Sequence, residues 1–431
     1  MCIMFMPSKS WFRPHIQTVG CNDKSTTMNK CISTLLLITL TVFAHAQNQN
    51  DIVFGKTDTL DSKILNEQRP LMIHLPDGYS SEKSYPVIYL LDGSANYHNT
   101  STIVAHLSWT YDKICPEMIV VGILNTNRNR DLTPYKPSFD PNMPQYMLEE
   151  SGGGEEFISF IEKELMPFID SKYTTAPFRA LFGHSLGGFM VLHTLLHHTE
   201  LFNAYIATDP TTDWVDDRIM QEFKDFNSIK MDDKVDLFIG MGSMNIGQDK
   251  NEIIADPSHQ SKSYKSLFEL DDFLTNAQQH NFNYGSKFYP NENHFSVRLI
   301  AMYDAIRFLF DFYRVDITTS DWENPEVNLA LKIRKLYDRR SEGLGYVVKP
   351  EMNYIDGLAE YYLSLEQYPK GLQLLEFNID LYPDSAHVFD ALGDYYAATN
   401  DNKKAIENYK KSLLIAENES TRNKLNKIQK K

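Results

Sequence analysis

The sequence predicts an α/β chain in which a mostly parallel sheet flanked by helices is followed by a C-terminal all-α module. Three observations carry this. From Gln68 to Tyr313, short apolar runs bounded by turn residues alternate with stretches of helical period. One of those runs passes directly into a helix at a glycine-flanked serine, and beyond Tyr313 only helical periodicity remains. Strands separated by helices pair in parallel, because each return to the sheet needs a crossover helix.

The strands expected in order are 70–75, 86–91 and 118–124, the first two ending near Asp77-Gly78 and Asp92-Gly93. These first two are compatible with an antiparallel hairpin at one edge. Residues 155–173 carry Phe157, Phe160, Ile161, Leu165, Phe168 and Ile169 at nearly helical spacing. A strand at 178–183 then runs into a helix at 185–197. Strands at 204–207 and 235–239, a helix at 264–279 and a last strand at 285–289 complete the pattern. Active sites in such sheets gather at the carboxyl ends of the strands.

In the C-terminal part an internal repeat appears at a spacing of 34 residues: Leu358, Tyr361, Tyr362 and Gly371 recur as Leu392, Tyr395, Tyr396 and Ala405, with Ala359 matched by Gly393. This resembles tetratricopeptide repeats, helix pairs whose small residues permit close packing. Two units span 352–418, one fewer than a free-standing stack needs, so they are expected to dock on the preceding domain or to use 326–338 as an extra helix. The domain boundaries read as 1–46 for an N-terminal extension and leader, 51–313 for the sheet domain and 325–431 for the repeats.

With 431 residues, 42% hydrophobic and 23% charged, the chain has the composition of an ordinary globular protein. A formal net charge of −15 argues against a nucleic-acid partner, which would need a basic face. Met28-Asn29-Lys30, the apolar run 35–43 and Ala44-His45-Ala46 together describe a secretory signal peptide cut near Ala46, with translation starting at Met28. The apolar run is shorter than the roughly 20 residues of a membrane span. Cys2, Cys21 and Cys31 precede the cut, which leaves Cys115 alone in the mature chain and excludes an internal disulfide. The expected location is secreted or periplasmic.

The chemistry centres on Gly183-His184-Ser185-Leu186-Gly187. A serine hydroxyl is a poor nucleophile unless it is exposed, aimed and held beside a base; a sharp strand-to-helix turn with glycines on either side achieves this. The helix N-terminus behind Ser185 presents free N–H groups to a developing oxyanion. The base should follow later in the chain, and His294, on the loop after the last strand, stands where it belongs. His193, His197 and His198 lie along the helix after Ser185, and His280 precedes the last strand at the wrong edge of the sheet. The acid is sought after strand 235–239, where the loop offers Asp249, Glu252 and Asp256; Asp249 is preferred as the first carboxylate beyond the strand. The oxyanion donors expected are the backbone N–H groups of Leu186 and Ser94, the latter following Leu91-Asp92-Gly93.

The runs 87–93, Arg130-Asp131-Leu132-Thr133-Pro134, 183–188 and Asn293-His294 together resemble the esterase family that includes esterase D, feruloyl esterases, mycolyltransferases and siderophore esterases. The resemblance covers about 51–313. It implies an α/β-hydrolase fold and ester or thioester cleavage, with Ser185 and His294 at the nucleophile and base positions. Many members place a glutamate shortly after the glycine that ends the seventh strand, whereas here Gly242 is followed by Ser243-Met244-Asn245. Some siderophore esterases resemble a Ser-His dyad instead.

The expected function is therefore that of an exported serine hydrolase of carboxylic esters, on siderophore or carbohydrate-linked substrates, working by acyl transfer without metal or organic cofactor. An acyltransferase would share every residue named and differ in excluding water from the acyl-enzyme. A non-catalytic protein would bind a peptide or protein partner through the repeats. No membrane span is expected.

Overall fold

The computed structural model describes residues 53–109, 113–137, 144–243, 247, 249–258 and 260–430. The leader expected at 28–46 and its cut, with Cys2, Cys21 and Cys31, lie outside the described residues. Gly55–Lys431 is one compact unit.

Among the described residues eight strands form one sheet: β1 (Lys56–Ser62), β2 (Glu67–His74), β3 (Tyr85–Leu90), β4 (Ile119–Ile123), β5 (Thr175–His184), β6 (Ala204–Thr208), β7 (Val235–Met241) and β8 (Phe282–Phe288). Their order is β1-β2-β4-β3-β5-β6-β7-β8. From β4 to β8 all pairings are parallel, while β1–β2 and β2–β4 are antiparallel. Strands β3, β4, β6 and β7 are buried at every position, which is why they read as continuous apolar runs and not as alternation.

The expected hairpin between 70–75 and 86–91 does not form. β2 pairs instead with β1 and β4, and β3 lies between β4 and β5. The turn from β1 to β2 passes through Asn66 at φ 52, a left-handed position that asparagine tolerates better than most residues. The β1 sequence, KTDTLDS, is an exposed edge with one large apolar residue, so it gives almost no strand signal.

Helices cover both faces. On one face α1 (Gly93–Trp109) and α7 (Val297–Leu309) pack together against the sheet, with Phe308 on Phe238. On the other, α2 (Gly154–Phe160), α3 (Leu186–His197), α4 (Trp214–Glu222) and α6 (Gln260–Thr275) bury Phe157, Phe189, Trp214 and Leu267 against Val87, Tyr89, Leu181, Tyr205 and Leu237. A short helix, α5 (Lys250–Ala255), precedes α6. The helix read at 155–173 is continuous but widens at Ile161–Leu165 into a π turn. Pro167 follows it, and a proline has no N–H for the regular i→i−4 bond.

Beyond Tyr313 the chain is helical: α8 (Leu329–Leu344), α9 (Met352–Ser364), α10 (Tyr368–Leu381), α11 (Ala386–Ala398), α12 (Asn402–Ile415) and α13 (Glu419–Gln429). Helix starts at Met352 and Ala386, and at Tyr368 and Asn402, share the 34-residue offset seen in the sequence. Small residues mark the helix contacts: a Cβ on Gly393 would stand 2.5 Å from the ring of Tyr409, and one on Gly371 3.0 Å from Leu363. The helical segment is joined to the sheet domain through Arg340, which donates to the Tyr313 carbonyl, and through Lys83, paired with Glu351 at 2.5 Å. No helix among the described residues is long and apolar enough to cross a membrane.

Candidate active site

Strand β5 ends at His184, and Ser185 turns the chain into α3 with φ 58 and ψ −120. A non-glycine residue with this backbone is strained and is held only by its surroundings. Here those are three main-chain bonds: Ser185 N–H donates to the Thr208 carbonyl (3.0 Å), and its own carbonyl accepts from Phe189 (2.9 Å) and Thr211 (3.2 Å). The flanking glycines are required by space. A Cβ on Gly183 would fall 2.1 Å from the Gly187 carbonyl oxygen, and one on Gly188 3.0 Å from Pro210. The Ser185 hydroxyl lies 3.3 Å from that of Thr211.

Parallel register sets what lies beside Ser185. His184 is paired with Thr208 across β5–β6, and Thr208 with Gly240 across β6–β7. The residue that follows Thr208 is Asp209, buried, at φ 40. Its Oδ1 accepts the Gly242 N–H (2.6 Å); its Oδ2 accepts the Tyr264 hydroxyl (2.6 Å) and stands 3.2 Å from His294 Nδ1. A carboxylate only accepts, so His294 carries its proton on Nδ1 and its Nε2 is the basic nitrogen. The Asp209 main-chain N–H donates to Gly240, which locks the strand end.

The carboxylate that meets His294 thus follows β6, whereas the acid is expected after β7. Asp249 turns its carboxylate to the Glu252 N–H at 2.9 Å and caps α5, the ordinary use of an aspartate at a helix start. Asp256 accepts from the Ser258 N–H at 2.8 Å and is half-buried. Glu252 lies in the first turn of α5. An acid sought only beyond β7 leaves out Asp209, which follows β6. The signal that would have found it is a lone carboxylate directly at a strand end, in Thr208-Asp209-Pro210.

His184 backs the site. Its ring lies 4.4 Å from that of His294, and its Nε2 donates to the His294 carbonyl at 2.6 Å. Burial, reinforced by the neighbouring His294, pushes its pKa down to about 4, so it is a neutral donor at neutral pH.

The two expected oxyanion donors occupy first turns of helices, Leu186 in α3 and Ser94 in α1, where N–H groups lack intrahelical acceptors. The loop before α1 is pressed onto the start of α3: a Cβ on Gly187 would sit 3.4 Å from Asp92 Oδ2. Asp92, at φ 51, is held by Arg128 (Nε to Oδ1, 2.7 Å; Nη2 to Oδ2, 2.9 Å) and by Asn125 (2.6 Å). The Phe295 ring lies 5.3 Å from that of His294 and is exposed, as are Leu299 and Ile300 in the first turn of α7.

Residues 62–295 match the family model described as "Putative esterase". The chain belongs to that esterase family. Within the family it is similar to the ferri-bacillibactin esterase BesA of Bacillus subtilis, 28% identical over 263 residues that make up 58% of this chain and 87% of BesA. It is also similar to the siderophore enterobactin esterase of Emericella nidulans, 32% identical over 166 residues, 35% of this chain and 54% of that one. Among solved structures it resembles an IroE-like serine hydrolase from Shewanella oneidensis, with a TM-score of 0.64 and 29% identity across 76% of this chain and 99% of that chain. These relatives support an ester hydrolase acting on small-molecule esters.

Proposed function

We propose that this esterase is a serine hydrolase in which Ser185, His294 and Asp209 form the catalytic triad. The observation that carries the reading is the register that sets Asp209 beside Ser185 while its carboxylate meets His294 Nδ1. His294 Nε2 takes the Ser185 proton, the alkoxide attacks the ester carbonyl, and the N–H groups of Ser94 and Leu186 receive the oxyanion. The protonated imidazole is stabilised by Asp209 and returns its proton to the leaving alcohol. Water, activated by the same histidine, then releases the acyl group. None of these steps calls for a metal or an organic cofactor.

The substrates we propose are carboxylic esters of the siderophore type named for one relative, carrying an aromatic group. The exposed Phe295 ring, 5.3 Å from that of His294, offers a stacking face for such a group. Export through the leader ending near Ala46 and a tetratricopeptide-like character for 352–418 belong to the same reading, the latter supported by the 34-residue offset of the helices.

Fluorophosphonate labelling of the wild type and of Ser185→Ala, with a panel of catecholate, feruloyl and simple acyl esters, tests it. The wild type should label and turn over; the variant should do neither. Labelling that survives in Ser185→Ala excludes this serine as the nucleophile.

A further inference from the structure

At the far end of α3 from Ser185, two carboxylates bracket a buried histidine. His193, 1% exposed, places Nε2 2.5 Å from Glu155 Oε1 and Nδ1 2.8 Å from the Tyr135 hydroxyl. That hydroxyl in turn donates to Glu222 Oε2. The other Glu155 oxygen lies 3.0 Å from His198 Nε2.

The chain Glu155–His193–Tyr135–Glu222 thus has three polar contacts between two carboxylates, yet a neutral imidazole and a neutral phenol supply two protons. One contact lacks a positive partner. Tyr135 gives its proton to Glu222, whose carboxylate can only accept. Its oxygen must then accept from His193 Nδ1–H. This leaves the His193 Nε2 lone pair facing a Glu155 oxygen, which is repulsive unless a cation stands between them. Glu222 does not share the deficit, because Arg218 Nε (3.0 Å) and His197 Nε2 (3.0 Å) also reach it.

We propose that His193 Nε2, His198 Nε2 and Glu155 bind a divalent transition-metal ion of the zinc class. Two imidazoles and one carboxylate suit zinc far better than magnesium or calcium. The three ligand atoms lie within 4.8 Å of one another; bonds of about 2.0–2.1 Å to one ion set ligand atoms about 3.3 Å apart, so side-chain shifts that open the 2.5 Å His193–Glu155 contact and draw in the wider ones would complete the site. The Nδ1–H···Tyr135···Glu222 relay is the outer support that orients a ligating histidine. Glu155 is half exposed, so a fourth position is open to water. The ion would clip α2 to α3, about 12 Å along the helix from Ser185, as a structural site independent of the triad. A second grouping, His193, His197 and Glu222, is excluded because Tyr135 occupies His193 Nδ1 and Arg218 neutralises Glu222.

The test is calorimetric titration of the tag-free, EDTA-treated full chain with zinc chloride. The wild type should bind zinc with a dissociation constant in the micromolar range or below and gain thermal stability. His198→Gln and Glu155→Gln, both at accessible side chains, should each weaken this binding by about tenfold or more, while His197→Gln keeps it within about threefold. Binding that both ligand variants retain, or that His197→Gln alone abolishes, overturns the proposal. So does an imidazole pKa above 7 for His193 by NMR in the metal-free chain, since that proton would fill the deficit without an ion.

Discussion

Asp209 reaches His294 from the strand next to the one that carries Ser185, with 3.2 Å between Oδ2 and Nδ1. The same carboxylate is fixed by the Gly242 N–H and the Tyr264 hydroxyl, so it is aimed before any substrate arrives. Asp209→Asn keeps the shape but presents an amide that no longer enforces the Nδ1–H tautomer. It should lower kcat by about 10³–10⁴ with KM nearly unchanged. Asp249→Ala, which removes only a helix cap, should leave kcat within about threefold and cost about 1 kcal/mol of stability. Steady-state kinetics with urea unfolding of both variants separates the two roles; an equal effect on kcat would count against the Asp209 assignment.

His184 links the site to pH. Its pKa is about 4 in the fold against 6.5 for a free imidazole, with burial as the leading cause. The unfolded chain therefore binds a proton that the folded chain refuses between those values. The stability this histidine contributes is complete above pH 6.5 and is lost as pH falls towards 4. At pH 5 the loss from this group is about 2 kcal/mol. His184→Gln keeps an N–H for the His294 carbonyl but does not titrate. Its unfolding free energy should fall less than that of the wild type between pH 7 and pH 5, by about that amount. Parallel slopes for the two proteins would show that His184 does not carry the acid sensitivity.

How much of this was legible from the sequence depended on whether a feature is local. The inner strands announced themselves because both faces are buried, and Gly183 and Ser185 because a strand-to-helix turn needs them within one short segment. Helix α1 gave little signal: its inward face carries Asn96, Thr100, Ser101 and Ser108, so apolar periodicity is weak although those residues are buried. The β1 edge is polar for the same reason that it is exposed. Asp209 is a single carboxylate whose meaning comes from pairing across β5, β6 and β7, and no spacing rule within one segment reports that register.

Gly183 offers a steric test of the turn. A methyl group there would meet the Gly187 carbonyl at 2.1 Å and the Gly188 nitrogen at 2.8 Å, both backbone atoms that cannot swing aside. Gly183→Ala should therefore displace the start of α3 and, with it, Ser185 and the Leu186 N–H. Activity should fall by at least about 10², and stability by about 3 kcal/mol, because the strain is buried. Gly357→Ala is the control: nothing lies within 4 Å of its added Cβ, and a helix-interior alanine should be neutral or stabilising. Thermal melts and ester turnover on the two variants measure the contrast.

The helical segment should be separable from the chemistry. Arg340 is buried and donates to the Tyr313 carbonyl through Nε (3.0 Å) and Nη2 (2.8 Å), with its guanidinium 4.0 Å from the Tyr313 ring centre. This joins α8 to the last turn of the sheet domain. The joint stands with Lys83–Glu351 beside the start of β3, whereas Ser185 lies at the carboxyl end of β5. Arg340→Met retains most of the stem's packing but removes both donors and the charge. It should cost about 2–3 kcal/mol and speed limited proteolysis between 314 and 328. The value of kcat/KM should stay within about twofold while the chain is intact. If turnover instead falls in step with proteolysis, the helices hold the esterase site in shape and are not a separable module.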